Sequence, residues 1–241
     1  MTTSTLADRD WNVAQRDLRH SQPFNVALLD DFLTVAALAR LREELLEDGG
    51  WQVLDWGDEH RGLAERYLHN SRPRTPSVAQ LAGELRRALP GALAGMRLVS
   101  HWAILCLADT GVGVHADNAS VVVNLWLTPD ECNLDPASGG LTLFDVKRAP
   151  ELRYPDFVND RFCRRYIDER SLGGRFEVPY RCNRATLFDG STFHATQPVR
   201  FSAGARRQMR LNLSLAFDEP DALTARTMPA MPTAAGRQPL G

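Results

Sequence analysis

Two periodicities divide the chain. From Phe24, the text FNVALLDDFLTVAALARLREELLEDGG reads as a short strand and then a helix from about Thr34, its N-cap, to Asp48, stopped by Gly49-Gly50. Leu38, Leu41, Leu45 and Leu46 give that helix one apolar stripe. A polar stretch rich in arginine and proline follows, and Ser77 is placed to cap a second helix ending near Pro90-Gly91. Beyond Gly95 the period shortens to two. MRLVSHWAILCLAD, GVGVHAD, SVVVNLWLTP, GLTLFDV, RFEVPY, RATLFDG and RQMRLNLSLAF are β-branched or alternating runs separated by turn residues. No helix-length pattern alternates with them, so a parallel α/β sheet is disfavoured. The pattern predicts a mainly β fold, an antiparallel sandwich or jelly roll with its N-terminal helices packed on one sheet.

Residues 1–23 are expected to form an N-terminal extension, 24–217 one domain, and 218–241 a loose tail rich in proline and alanine. Within the domain, 145–180 is too long for a hairpin loop and partly helical in pattern, which suggests a lid-like insertion over a substrate. It carries Arg148, Arg153, Arg161, Arg164, Arg165, Arg170 and Arg175. Such charges ordinarily form a solvated face; if some point inward, the substrate is acidic.

Composition narrows the function classes. The chain has 241 residues, 44% of them hydrophobic, enough for one sizeable core. A net charge of -2 supplies no broad basic footprint, which disfavours a nucleic-acid partner. The first residues carry no apolar leader and no window approaches a membrane span, so a soluble cytoplasmic protein is expected. Cys106, Cys132, Cys163 and Cys182 form no CxxC pair and suit small buried thiols better than a zinc or disulfide framework.

The candidate chemistry starts at His115-Ala116-Asp117. An isolated HxD carries little information, but on a strand residues i and i+2 share a face, presenting an imidazole and a carboxylate together. A third ligand is offered by His194 in RATLFDGSTFHATQPV, far enough downstream for a Greek-key path to return beside the first strand. Two histidines and one carboxylate make the facial triad that leaves positions open on Fe(II). In RRQMRLNLSLAF, alternation puts Met209, Leu211, Leu213, Leu215 and Phe217 on one face and Arg210, Asn212, Ser214 and Ala216 on the other. An arginine in a central strand requires an anion, either a protein carboxylate or the distal carboxylate of a bound diacid.

HxD at His115 and Asp117, the distal His194, and R-x-N-x-S at Arg210, Asn212 and Ser214 together resemble the Fe(II)/2-oxoglutarate-dependent oxygenases. FNVALLDDFLTVAALARLREELL is similar to the opening of the prolyl-hydroxylase-like branch, and PASGGLTLFDV to the Gly-Gly strand that follows HxD. The resemblance covers about residues 24–217 and implies a double-stranded β-helix, a cupin-like jelly roll. It also implies Fe(II) on His115, Asp117 and His194, with the far carboxylate of 2-oxoglutarate on Arg210. Asn212, Ser214 and Asn124 are expected beside the cosubstrate, and Trp126 as a substrate wall. The prolyl-hydroxylase branch carries its basic residue closer to the distal histidine, so Arg206 and Arg207 are rivals of Arg210. Parity turns Arg207 away, and Arg206 falls in the turn.

The implied activity is hydroxylation of an unactivated C–H bond with O2, releasing succinate and CO2. Desaturation or ring formation is open to the same chemistry. Asp117 disfavours halogenation, because related halogenases carry a small residue there. A small molecule, amino acid or peptide is the expected substrate, with a prolyl-type protein side chain as the alternative. Two readings of other classes stand beside these: an isomerase-type or non-catalytic cupin-like metal module, and a β-sandwich interaction domain. The first favours HxH with a following Glu, absent around His115; the second would disperse the triad and pair Arg210 with a protein carboxylate. His101 reads as a satisfied strand histidine.

Overall fold

Capping and alternation account for most elements of the computed structural model, which describes residues 4–53, 67–70, 73–106, 111–202 and 204–219. Helix α1 (Trp11–His20) begins where the Asp10 carboxylate accepts from the Asn12 N–H, and it buries Ala14 and Leu18. The segment expected as an extension therefore joins the core. Its small stripe, lying in polar text, left little periodic signal. Strand β1 (Val26–Leu29) leads to α2 (Val35–Glu47), whose N-cap Thr34 accepts from the Ala37 N–H through its hydroxyl at 3.3 Å. Strands β2 (Gln52–Val53) and β3 (Tyr67–Asn70) precede α3 (Pro76–Ala88). The cap of α3 is Thr75, with Pro76 at the first helical position, and not Ser77 as expected. The Ser77 hydroxyl instead donates to Glu44 of α2 at 2.9 Å, tying the two helices together.

The remaining strands are β4 (Arg97–Cys106), β5 (Val121–Trp126), β6 (Leu141–Lys147), β7 (Arg175–Val178), β8 (Ala185–Asp189), β9 (Thr192–Thr196) and β10 (Leu211–Asp218). Short helices α4 (Tyr154–Phe157) and α5 (Asp160–Asp168) lie between β6 and β7. Every strand pairing among the described residues is antiparallel, in a seven-stranded sheet ordered β1-β8-β5-β10-β4-β3-β2 and a three-stranded sheet ordered β7-β6-β9. The expected jelly-roll layering with helices on one sheet is what the chain forms. Residues after Glu219 lie outside those described, and so does most of the expected tail.

The central strands β5 and β10 are buried along their whole length and divide their residues between two cores. Val121, Val123, Leu125, Leu211, Leu213, Leu215 and Phe217 pack with Leu41, Leu45, Leu81 and Leu85 of the helices. Val122, Trp126 and Ala216 face the small sheet. The helix-side core removes many large aliphatic side chains from water, each worth about 1.5–3 kcal/mol when fully buried. That makes the wide sheet a stiff platform, and its other face holds the site. No helix among the described residues is long and apolar enough to cross a membrane.

Candidate metal centre

Residues 111–117 do not form a strand as expected. Only His115 is bridged, to His194 of β9, through two backbone bonds: the His115 N–H donates to the His194 carbonyl at 3.0 Å, and the reverse bond is 2.8 Å. That single bridge aligns the two rings, with centroids 4.2 Å apart. Asp117 is anchored separately, its N–H donating to the Gly190 carbonyl at 2.8 Å in the β8–β9 turn. A Cβ on Gly190 would lie 2.3 Å from the Ala119 carbonyl oxygen, so the turn closes this tightly only with glycine. His194 is expected just beyond a strand; it lies within β9, which is too short and too mixed to stand out as a separate run.

The donor atoms of His115, Asp117 and His194 all lie within 4.8 Å of one another. His115 Nε2 is 3.9 Å from Asp117 Oδ1, and His194 Nε2 is 3.5 Å from Asp117 Oδ2. Neither separation is a good hydrogen bond, yet both suit donors that share a cation at ligand distances of about 2.0–2.2 Å. Each imidazole has its other nitrogen against a backbone carbonyl: His115 Nδ1 at 2.8 Å from Gly113 O, and His194 Nδ1 at 3.0 Å from Thr192 O. A carbonyl only accepts, so in both rings Nδ1 carries the proton and Nε2 presents its lone pair to the centre.

Electrostatics agree with the geometry. Burial, and then the neighbouring His115, hold His194 well below the usual histidine range, which keeps it neutral. Burial also raises the Asp117 carboxyl above its ordinary value, against the opposing pull of His115 and Arg148. An imidazole kept neutral by burial and a desolvated carboxylate, beside His115, make a site that a divalent cation would suit. The donor set therefore fits a borderline metal such as Fe(II).

These groups open on a cavity of about 390 Å³ whose floor is the wide sheet. Arg210 stands at its deep end, fully buried at 1% exposure. Its Nε donates to the Gly139 carbonyl at 2.6 Å and its Nη1 to Asn212 Oδ1 at 2.9 Å. Among the described residues it forms no ion pair, and Nη2 has no partner. The polar row continues with Asn212 Nδ2 and Ser214 Oγ, which both donate to Asn124 Oδ1, at 3.1 and 3.2 Å. Arg206 is exposed in a short turn, and Arg207 is exposed and ion-paired with Glu43, so neither rival reaches the cavity.

Trp126 needs correction as a substrate wall. It shares the expected face, but it is fully buried and does not line the cavity; it lies under the Arg210 guanidinium, 5.8 Å from ring centroid to Cζ, and against Tyr180. Trp102, a residue without a role in the sequence pattern, lines the cavity instead. The signal was present, since Trp102 alternates with His101, whose Nε2 meets the Pro73 carbonyl at 3.3 Å as a satisfied strand histidine.

The expected lid behaves differently. Phe157, Cys163 and Ile167 of the insertion form a small core with Val114, Ala116 and Phe193. The Ala116 N–H donates to the Phe157 carbonyl at 2.9 Å, and the Val114 N–H to Asp160 Oδ1 at 2.6 Å. The helices thus buttress the segment carrying His115 and Asp117 from outside. Of the seven arginines, six are exposed. Arg148 alone turns inward, over the Phe157 ring at 4.6 Å and toward the Asp117 carbonyl.

No protein-family model matches the chain, and no curated protein matches it in sequence. Solved structures do. A prolyl hydroxylase from Trichoplax adhaerens, in complex with a hypoxia-inducible-factor peptide fragment, superposes with a TM-score of 0.61 at 13% identity, covering 91% of this chain and 94% of its own. The 2-oxoglutarate-dependent carbocyclase SnoK of nogalamycin biosynthesis gives 0.62 at 14% identity and covers 98% of both chains. HygX from Streptomyces hygroscopicus, with nickel, 2-oxoglutarate and hygromycin B bound, gives 0.56 at 15%, covering 85% and 87%. The chain has their double-stranded β-helix fold. In that fold the two sheets face each other, and here the metal-ligand candidates come from the rim of the small sheet while Arg210 rises from the wide one.

Proposed function

We propose that the protein is an Fe(II)- and 2-oxoglutarate-dependent oxygenase that hydroxylates an unactivated C–H bond of a small molecule, amino acid or peptide. The observation that carries this reading is one cavity holding both a two-histidine, one-carboxylate cluster and a buried guanidinium with no protein anion among the described residues. Bound iron with 2-oxoglutarate and O2 would supply the oxidising power, with succinate and CO2 as coproducts. His115, Asp117 and His194 would hold the metal on one side only, leaving its other positions facing the cavity. Arg210 Nη2 would receive the far carboxylate of the cosubstrate, in a setting where a charge-assisted bond is worth more than in water. Asn124, Asn212 and Ser214 keep that end of the cavity polar and ordered. Val122, Leu141 and Phe188 exclude water around it. Asp117 occupies the position that would have to be vacated for a halide, so hydroxylation is favoured over halogenation.

Anaerobic addition of Fe(II) and 2-oxoglutarate tests this directly. A metal-to-ligand charge-transfer band is expected in the unsubstituted protein, absent in His115→Ala and weakened in Arg210→Ala. No band, together with no succinate formed under O2, would overturn the reading.

A further inference from the structure

The cavity floor is split lengthwise by chemistry. Strands β4 and β10 pair so that Trp102 lies opposite Ser214, and Ile104 opposite Asn212. On the β10 side the row is Arg210, Asn212 and Ser214. On the β4 side Ile104 and Trp102 line the cavity, stepping outward at every second residue from Cys106, which meets Arg210 Nη1. Exposure rises along that apolar row, from Cys106 at 3% through Ile104 at 8% to the half-buried Trp102. Val112 and Thr196, joined by the Thr196 N–H donating to the Val112 carbonyl at 3.0 Å, complete the wall beside His115.

Charge follows the same division. Apart from the histidines, the only charged lining residues among those described are Asp117 and Arg210. If both are engaged as set out above, the rest of the described lining has no charge to offer a ligand. Burying an unpaired charge against Trp102, Ile104 and Val112 would be strongly unfavourable. A flat uncharged ring meets no such cost and gains contact area on the indole face.

We infer that Trp102, Ile104 and Val112 form the substrate subsite, and that the reacting part of the substrate is an uncharged aromatic or alicyclic ring held against Trp102. This rests on the oxygenase reading, because it assigns Arg210 to the cosubstrate. It sets aside an acidic group at the reacting end, and the outward-facing arginines of the insertion agree with that.

The test uses a matched pair of probes, indole-3-acetamide and indole-3-acetate, which share a ring and differ in charge. Binding is measured by ligand-observed NMR and calorimetry on the full-length protein loaded anaerobically with Mn2+ and 2-oxoglutarate. The amide is expected to bind at least about tenfold more tightly than the acetate. Trp102→Ala should weaken the amide about tenfold, and Trp102→Phe much less, since a ring remains. Trp102→Leu, which keeps apolar bulk without the ring, serves if the alanine variant does not fold. Mn2+ and 2-oxoglutarate binding should be unchanged in these variants. Equal binding of the two probes, or an amide affinity insensitive to both Trp102→Ala and Trp102→Leu, would overturn the subsite while leaving the oxygenase reading intact. Failure of the unsubstituted protein to bind Mn2+ and 2-oxoglutarate at all would instead overturn that reading.

Discussion

Replacing Arg210 by Met separates two explanations of a buried cation. If the guanidinium served a protein carboxylate, the substitution would strand that anion and cost about 3–5 kcal/mol. For a chain of this size 1 kcal/mol corresponds to about 2–4 °C, so the melting temperature of the ligand-free protein would fall by about 6–20 °C. The structure gives Arg210 only neutral partners among the described residues: the Gly139 carbonyl, Asn212 Oδ1 and the Cys106 thiol. Losing those bonds costs about 1–3 kcal/mol, offset by removal of a buried charge, so a drop of a few degrees at most is expected. The cosubstrate should register the change instead. A charge-assisted hydrogen bond is worth about 1.5–3 kcal/mol, which makes 2-oxoglutarate bind about ten- to a hundredfold more weakly. If 2-oxoglutarate binds as proposed, at a concentration a hundred times its Kd it should stabilise the unsubstituted protein by about 2.7 kcal/mol, an upshift of about 5–10 °C. In Arg210→Met the same concentration should give only about 1–5 °C. Differential scanning fluorimetry with Mn2+, with and without 2-oxoglutarate, reads both quantities. A full upshift in the variant, or a collapse of its ligand-free melting temperature, refutes the assignment.

Other parts of the site make separate predictions. Asp160→Ala removes the acceptor of the Val114 N–H and should weaken Mn2+ binding about tenfold or more by loosening His115, as outer-shell losses commonly do; calorimetry would show no change if the buttress is irrelevant. Gly190→Ala drives a Cβ to 2.3 Å from the Ala119 carbonyl and should displace the Asp117 anchor, abolishing Mn2+ binding or folding; native affinity in a folded variant would contradict this. Asp30 is held below the ordinary carboxylate value first by its bonds from Arg184, against desolvation, with Arg181 adding to the pull. A carboxyl with a depressed folded value stabilises the fold above its unfolded value, near pH 4, and loses that contribution as pH falls through the folded one. Asp30→Asn should therefore cost about 1 kcal/mol in urea unfolding at pH 7, after solvent screening, and progressively less below pH 4. A cost that stays constant from pH 7 to pH 2 would count against it.

Local rules were strongest where the chain obeys them alone. Thr34 caps α2 as its sequence implies, because the cap, the leucine stripe and the Gly49-Gly50 stop all act within one segment. Helix α1 carries little local signal because the contacts that stabilise it are remote, including Trp11 edge-on to Phe32 at 6.2 Å. Strands β2 and β3 lie in polar text, paired with each other and, through β3, with β4. The insertion's partly helical pattern was legible, but its role was not. A lid and a buttress share the same composition, and only the bonds from Val114 and Ala116 distinguish them.

The site itself shows what alternation can and cannot fix. Period two decides which face a residue takes, and it placed Arg210, Asn212, Ser214 and Asn124 together on the side away from the helices. It does not decide depth along the strand. Register does: β10 and β5 run antiparallel with Asn212 opposite Trp126 and Ser214 opposite Asn124, so Arg210 lies one step beyond Trp126 and covers it. Trp126 thus supports the guanidinium from beneath, while Trp102, opposite Ser214 on β4, takes the cavity position. Register also accounts for the convergence of His115 and Asp117 without a regular strand. The paired bonds between His115 and His194 supply locally the register a longer strand would have given, and the Gly190 carbonyl fixes Asp117 independently. Three short constraints from one β8–β9 hairpin therefore set the geometry of the candidate metal ligands, which is why Gly190 and not the surrounding strand length should control metal affinity.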